Sequence, residues 1–292
     1  MPGPILLGSS GGAAASTRRD VLSRALVLGA GLAACPCCEA LASGGAVFDY
    51  GSLSGPQNWG GVCRSGTKQS PVDVPRKALA AALKRPTGGS GPACRPAQLN
   101  VSGYKPDKPS ILNTGVGTMQ VNYAKGSQKL VCGGAELELL QFHFHTPSEH
   151  AFDGDRTAME VHLVHRNNTT GQLGVLGVLM ESPGTPNAGL AAALKYAPAK
   201  ARESTPSPVA IDPKSLLPRA GGGYIRYSGS LTTPGCNEGV EWYVMLDTVT
   251  ISPEQVLAFA QYVSGGKSFA QNSRPLQPLN GRAYDLQYDC TS

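Results

Sequence analysis

Apolar positions along the chain recur with two periods. Alternation at every second residue, or a short unbroken apolar run rich in Val, Leu and aromatic residues, marks residues 117–122, 136–145, 159–165, 173–180 and 242–251 as strands. Gly, Pro, Asn and Asp clusters separate them. Two segments follow a helical period instead, 190–196 and 253–264. In the second, Val256, Phe259, Ala260 and Val263 share one face, Ser252 is placed to cap, and Pro253 occupies the first helical position. Residues 85–96 and the proline-rich stretch 198–213 read as exposed loops. The pattern predicts a mainly β (α+β) single domain with long connections.

One apolar run does not belong to that pattern. Residues 25–34 follow the pair Arg18-Arg19 and precede Ala40-Leu41-Ala42. Charge, a short apolar run and a small-residue site in that order predict a twin-arginine-type signal or transit segment over 1–42, removed to leave 43–292. The competing reading is a buried N-terminal helix with chance arginines. Such a leader sends a protein across a bacterial inner membrane or a thylakoid membrane.

Composition changes the picture in a few places. The formal charge of +5 falls to +4 without the leader, and no basic run appears, so nothing indicates a nucleic-acid partner. No apolar stretch reaches the ~18 residues of a membrane span. Beyond residue 42 the cysteines are Cys63, Cys94, Cys132, Cys236 and Cys290, an odd number.

The candidate chemistry lies in two predicted strands. In 138–145, His143 and His145 point to one face with Gln141 beside them, while Phe142 and Phe144 point to the other. An HxH alone is weak evidence for a metal. In 159–165, Glu160, His162 and Val164 share a face, giving a third imidazole and a carboxylate able to orient a ligand. Three neutral imidazoles with no thiolate form a Zn2+ site of the catalytic kind, open at a fourth position, where a bound water ionises near pH ~7.

Gln141-Phe142-His143-Phe144-His145, Ser148-Glu149-His150, Glu160-Val161-His162-Leu163-Val164-His165 and Gly229-Ser230-Leu231-Thr232-Thr233-Pro234 together resemble the alpha-class carbonic anhydrases. Tyr50-Gly51, Trp59, residues 69–73 and residues 274–279 add flanking matches, so the resemblance spans roughly 48–285. With the twin-arginine leader, Asn113-Thr114-Gly115 and residues 118–122 look most like the algal thylakoid-lumen members.

The resemblance implies one large, twisted, mostly antiparallel sheet with short surface helices and a zinc at the bottom of a cleft. It implies His143, His145 and His162 as ligands, with Gln141 and Glu160 behind them. It implies Thr232, hydrogen-bonded to Glu149, as the group that orients the nucleophile toward carbon dioxide. Val164, Val175, Leu231, Val240 and Trp242 would wall the substrate pocket, with Thr233 lining it. His150 and His165 match structural histidines, and Cys63 and Cys236 match a disulfide. Cys94, Cys132 and Cys290 have no implied role. The reaction would interconvert carbon dioxide and bicarbonate in a thylakoid lumen, in association with a photosynthetic membrane complex. A bacterial periplasm or secretion is the alternative destination, and a non-catalytic scaffold the alternative function.

Two departures stand out. The position that carries a proton-shuttling histidine in fast members is Val116, and no other histidine is left over. Tyr50, which titrates near ~10, is a poor substitute. Gly235 stands where the family usually has a second proline, which predicts a looser loop around Thr232.

Overall fold

A computed structural model describes residues 48–76, 99–219, 223–266 and 270–287. The leader and residues 85–96 lie outside them. The strands of the first half are β1 (Asp73–Val74), β2 (Leu99–Asn100), β3 (Ser110–Asn113), β4 (Met119–Asn122), β5 (Lys129–Cys132), β6 (Ala135–His145) and β7 (Ala151–Phe152). Those of the second half are β8 (Met159–Asn167), β9 (Leu173–Glu181), β10 (Ser204–Pro206), β11 (Tyr224–Ser230), β12 (Glu238–Met245), β13 (Val249–Thr250) and β14 (Asp285–Gln287). Twelve strands form one sheet whose main path is β10-β3-β4-β6-β8-β9-β12-β11-β14. Pairing along it is antiparallel except where β9 meets β12, and β13 also runs parallel to β9.

Strand β9 reads as an unbroken apolar run because both of its faces are covered. Eight of the nine residues of β9 are buried. One face carries a core of Phe142, Phe144, Leu163 and Leu176. The other carries Val164, Val175, Leu231, Val240 and Trp242. The described residues include three α-helices, α1 (Val62–Ser65), α2 (Ala188–Tyr196) and α3 (Pro253–Ser264). Helix α3 begins where expected. Ser252 and Gln255 cap each other reciprocally, and Gly265 ends the helix at φ 48°. Its Phe259 and Val263 are buried, with Phe259 edge-on to Phe144.

Three expectations need correction. Residues 242–251 are not one strand, because β12 ends at Met245 and β13 resumes at Val249 beside the end of β9. Residues 198–213 are not simply an exposed loop: Ser204–Pro206 is an edge strand on β3, and Ser207 and Ile211 are buried. An edge position tolerates Pro206, whose missing N–H would break a ladder on both sides. Strand β4 starts at Met119 rather than 117, since Gly117 turns the chain at φ 92°.

Candidate metal centre

The site is assembled by register. β6 and β8 place His143 opposite His162, His145 opposite Glu160, and Gln141 opposite Val164. The register shifts between Leu139 and Gln141, leaving Leu140 as an extra residue on β6. This bulge lets Leu137 and Leu139 share a core with Phe142 and Phe144, while the residues after it present three polar side chains to the other face. The next strand contributes Gly177 opposite His162. A Cβ there would lie 2.9 Å from Glu160 Oε1, so only glycine leaves that carboxylate its space.

Each of the three imidazoles spends one nitrogen on a fixed acceptor. His143 Nδ1 donates to Gln141 Oε1 at 2.8 Å, and His145 Nδ1 to the Asn272 carbonyl at 2.8 Å. His162 Nε2 donates to Glu160 Oε1 at 2.9 Å. A neutral imidazole has one N–H, so His143 Nε2, His145 Nε2 and His162 Nδ1 are left as bare lone pairs. His145 Nε2 is buried without a hydrogen-bond partner. One nitrogen from each ring can be chosen within 4.8 Å of the others, and the ring centroids are 4.6–5.3 Å apart.

Electrostatics keep the rings neutral. Burial, with the neighbouring His145 and His162, holds His143 well below the usual histidine range. Burial lowers His145 to about 4, although the Asn272 carbonyl and Glu160 oppose it, and lowers His162 against the pull of Glu160. Glu160 is also shifted down, which for a carboxyl favours the charged form. Burial alone would raise it, but His150 and His162 hold its carboxyl well below the usual range. A protonated ring cannot ligate, so these neutral, convergent, partly orphaned nitrogens fit a tetrahedral Zn2+ with one open position. The second histidine-carboxylate group, His150 with Glu160 and His162, is a satisfied hydrogen-bond cluster, because Glu160 Oε1 already accepts from both rings.

Glu149 and Thr232 stand beside this group. Glu149 is wholly buried, and burial raises its pKa. His162, the Arg274 backbone N–H and the Thr232 hydroxyl favour its ionised form. Arg274 N donates to Oε1 at 2.8 Å, and Oε2 lies 3.9 Å from His162 Nδ1 without a well-formed hydrogen bond of its own.

The segment carrying Thr232 is held firmly, contrary to the looser loop expected of Gly235. Leu231 N donates to Asn237 O, and Cys236 N to Thr233 O. With Pro234 second and Gly235 third at φ 100°, Thr233 to Cys236 makes a type II turn. That conformation suits glycine and is closed to proline. Cys236 is disulfide-bonded to Cys63 across 173 residues, and Arg274 Nη2 donates to Cys63 O at 2.8 Å. Cys132 is not disulfide-bonded; Cys94 and Cys290 lie outside the described residues.

The three histidines open on a cleft walled by Val164, Val175, Leu231 and Trp242, with Thr232 and Thr233 also lining it. About 60 Å3 is open to the centres of water-sized groups, room for a few small molecules at ~10–15 Å3 each. Val240 packs in the same apolar cluster but does not line the cleft. Val116 also lines the cleft, on a turn clasped by Thr114 Oγ1 to Thr118 O at 2.7 Å. Tyr50 lines it too, and burial lifts its hydroxyl well above 10. His165 sits on the opposite face, between the Tyr104 hydroxyl and Gly174 O.

Asn272 and Gly177 are residues that the sequence reading did not single out. Besides holding His145, Asn272 sends its amide to Gly117 O and Phe144 O, tying the turn after Val116 to strand β6. The only sequence signal was its place just before the matching run at 274–279.

The chain is similar to known proteins along most of its length. A model of the eukaryotic-type carbonic anhydrase family matches residues 54–286. The carbonic anhydrase of Nostoc sp. is 36% identical over 265 residues, covering 88% of this chain and 91% of its own. Alpha carbonic anhydrase 3 of Arabidopsis thaliana is 33% identical over 248 residues, covering 80% and 82%. Among solved structures, carbonic anhydrase Cah3 from Chlamydomonas reinhardtii in complex with acetazolamide superposes with a TM-score of 0.68 at 42% identity, covering 84% of this chain and 100% of that one.

Proposed function

Since the chain belongs to the eukaryotic-type carbonic anhydrase family and is an enzyme of carbon dioxide–bicarbonate interconversion, we propose that it works with Zn2+ held by His143, His145 and His162. The observation that carries this reading is the convergence of three bare imidazole nitrogens, one orphaned in the interior, at the base of an apolar cleft. When bound, the ion would lower the pKa of a water to ~7 and supply a hydroxide nucleophile at neutral pH.

The remaining steps fall to the chain's own groups. Glu149, whose ionised form Arg274 N and the Thr232 hydroxyl favour against burial, accepts the hydrogen bond that the Thr232 hydroxyl donates. The Thr232 oxygen then has its lone pairs free to accept a hydrogen bond from the nucleophile and so orient it. Val164, Val175, Leu231 and Trp242 offer no polar group, which suits a neutral, linear substrate. Gln141, Asn272 and Glu160 fix the ring orientations, so little reorganisation is left when the metal enters.

Proton exit is the slow part of this proposal. Apart from the three ligands, the described residues lining the cleft include one titratable group, Tyr50, and it holds its proton far above pH 7. Stopped-flow hydration tests this. In dilute non-transferring buffer turnover should be low and should rise with added imidazole, at constant kcat/KM. Fast turnover without any buffer dependence would contradict it.

The destination belongs to the proposal as well: cleavage of residues 1–42 and delivery to a thylakoid lumen, beside a photosynthetic membrane complex. Relatives from algae, plants and bacteria are compatible with a lumen or a periplasm. Among the described residues no helix is long and apolar enough to cross a membrane.

A further inference from the structure

A single file of hydrogen bonds leads away from the metal ligands into the core. Glu160 accepts four of them: Oε2 takes the N–H groups of Glu149 and His150 at 2.8 Å each, and Oε1 takes His150 Nδ1 at 2.8 Å and His162 Nε2 at 2.9 Å. His150 Nε2 then meets the Tyr227 hydroxyl at 2.7 Å, and that hydroxyl meets Ser70 Oγ at 2.8 Å. Ser70 Oγ receives the Ser230 N–H at 3.1 Å, and Ser70 N donates to Ser230 Oγ at 2.9 Å. Ser230 lies two residues before Thr232.

A proton inventory gives this file one direction. An ionised Glu160 only accepts, so His150 carries its proton on Nδ1 and, being neutral, exposes a lone pair on Nε2. Tyr227 must donate to that lone pair. Its oxygen then takes the Ser70 proton, and Ser70 takes the N–H of Ser230. Every link depends on the next, and such chains polarise one another.

The surroundings are cleared for the file. A Cβ on Gly229 would lie 2.2 Å from Ser70 Oγ and 2.9 Å from Tyr227 Cε2, although Gly229 has no positive φ to demand a glycine. Ser70, His150 and Glu160 are completely buried, and Tyr227 is nearly so. Arg282 lies over the Tyr227 ring at 5.6 Å.

We propose that Tyr227 and Ser70 are positioning residues for the metal centre. They pin His150 in its Nδ1–H form, which keeps Glu160 committed to both rings and holds the His162 Nδ1 lone pair toward His143 and His145. They also join that ligand to the backbone leading to Thr232. Without the Tyr227 proton, His150 loses its donor on Nε2 and can move its own proton there, abandoning Glu160. The inference rests on the zinc reading given above.

The test uses the full-length enzyme in three variants: Tyr227→Phe, Ser70→Ala and Tyr123→Phe. The third is the control, because Tyr123 donates its buried hydroxyl to Ile211 O in the other core and touches nothing in the file. Zinc Kd is measured by chelator competition, and the Co2+-substituted protein is examined for its visible absorption. Tyr227→Phe and Ser70→Ala should each weaken zinc binding roughly threefold to tenfold, less than the ~10–100-fold typical of a direct partner, and shift the cobalt bands. Tyr123→Phe should lower stability and leave both readouts unchanged. Zinc affinities and cobalt spectra equal to the wild type in Tyr227→Phe and Ser70→Ala would overturn the proposal; if Tyr227→Phe does not fold, Ser70→Ala decides. Failure of the wild type itself to bind zinc would instead overturn the zinc reading.

Discussion

Replacing Glu160 with glutamine changes one atom and should strip much of the metal affinity. The carboxylate accepts four hydrogen bonds at 2.8–2.9 Å. Glutamine keeps one acceptor oxygen and puts an NH2 group where the other stood, so two of the four donors face a donor. If the NH2 faces the backbone, the amides of Glu149 and His150 are orphaned in a fully buried site, at ~1–3 kcal/mol each. If it faces the rings, His162 can regain a partner only by moving its proton to Nδ1, which removes the lone pair a metal needs. Either way the charge that makes His162 a better donor is gone. Loss of a group directly behind a ligand costs about 10–100-fold in metal affinity, or ~1.4–2.8 kcal/mol. Glu160→Gln should therefore raise the zinc Kd by that factor in chelator competition at pH 7, with little change for carbon dioxide hydration measured at saturating zinc beyond what altered His162 basicity imposes. A zinc Kd within twofold of the wild type would refute the reasoning.

Three further outcomes follow from the same geometry. Val116→His should speed turnover at least about tenfold in dilute buffer and leave kcat/KM for hydration nearly unchanged, since it adds a relay group to the cleft lining without replacing a ligand; stopped-flow in two buffer regimes checks this. Cys236→Ser opens a loop spanned by a 173-residue separation and should lower unfolding free energy by up to about 5 kcal/mol in urea titrations, strain in the native bridge making the loss smaller. His165 is held at about 4 by burial, below its unfolded value of ~6.5, so the folded state binds fewer protons. Its contribution is complete above pH ~6.5 and is lost as pH falls toward 4, by about 3 kcal/mol; the difference in stability between wild type and His165→Gln should shrink over that window, and a difference independent of pH would contradict the assignment.

How much of this is legible in the chain depends on the range of the interaction. His143 and His145 can be read directly, because a spacing of two is already the geometry of one strand face. The strands are equally plain: 173–180 is buried on both sides and continuously apolar, while in 136–145 and 159–165 apolar residues alternate with polar ones. Which residue of β8 faces His143 cannot be read, since it depends on the bulge at Leu140 and on pairing across a turn. β11 escapes notice because Ser228, Gly229 and Ser230 interrupt its apolar alternation, and those residues are where the file from Glu160 ends. Asn272 acts on His145 through its main-chain carbonyl, which no side-chain pattern records. Gly235 misled in the other direction. Judged as a lost proline it predicts a loose loop, whereas its positive φ completes a tight turn that the Cys63–Cys236 disulfide anchors.

The most direct test is carbon dioxide hydration measured against zinc content for the wild type and His162→Ala. Wild-type rate should vanish on chelation, return in proportion to zinc up to one ion per chain, and be blocked by acetazolamide; His162→Ala should neither retain zinc through dialysis nor recover the rate. Full hydration activity in metal-stripped protein, or tight stoichiometric zinc in His162→Ala, would contradict the account.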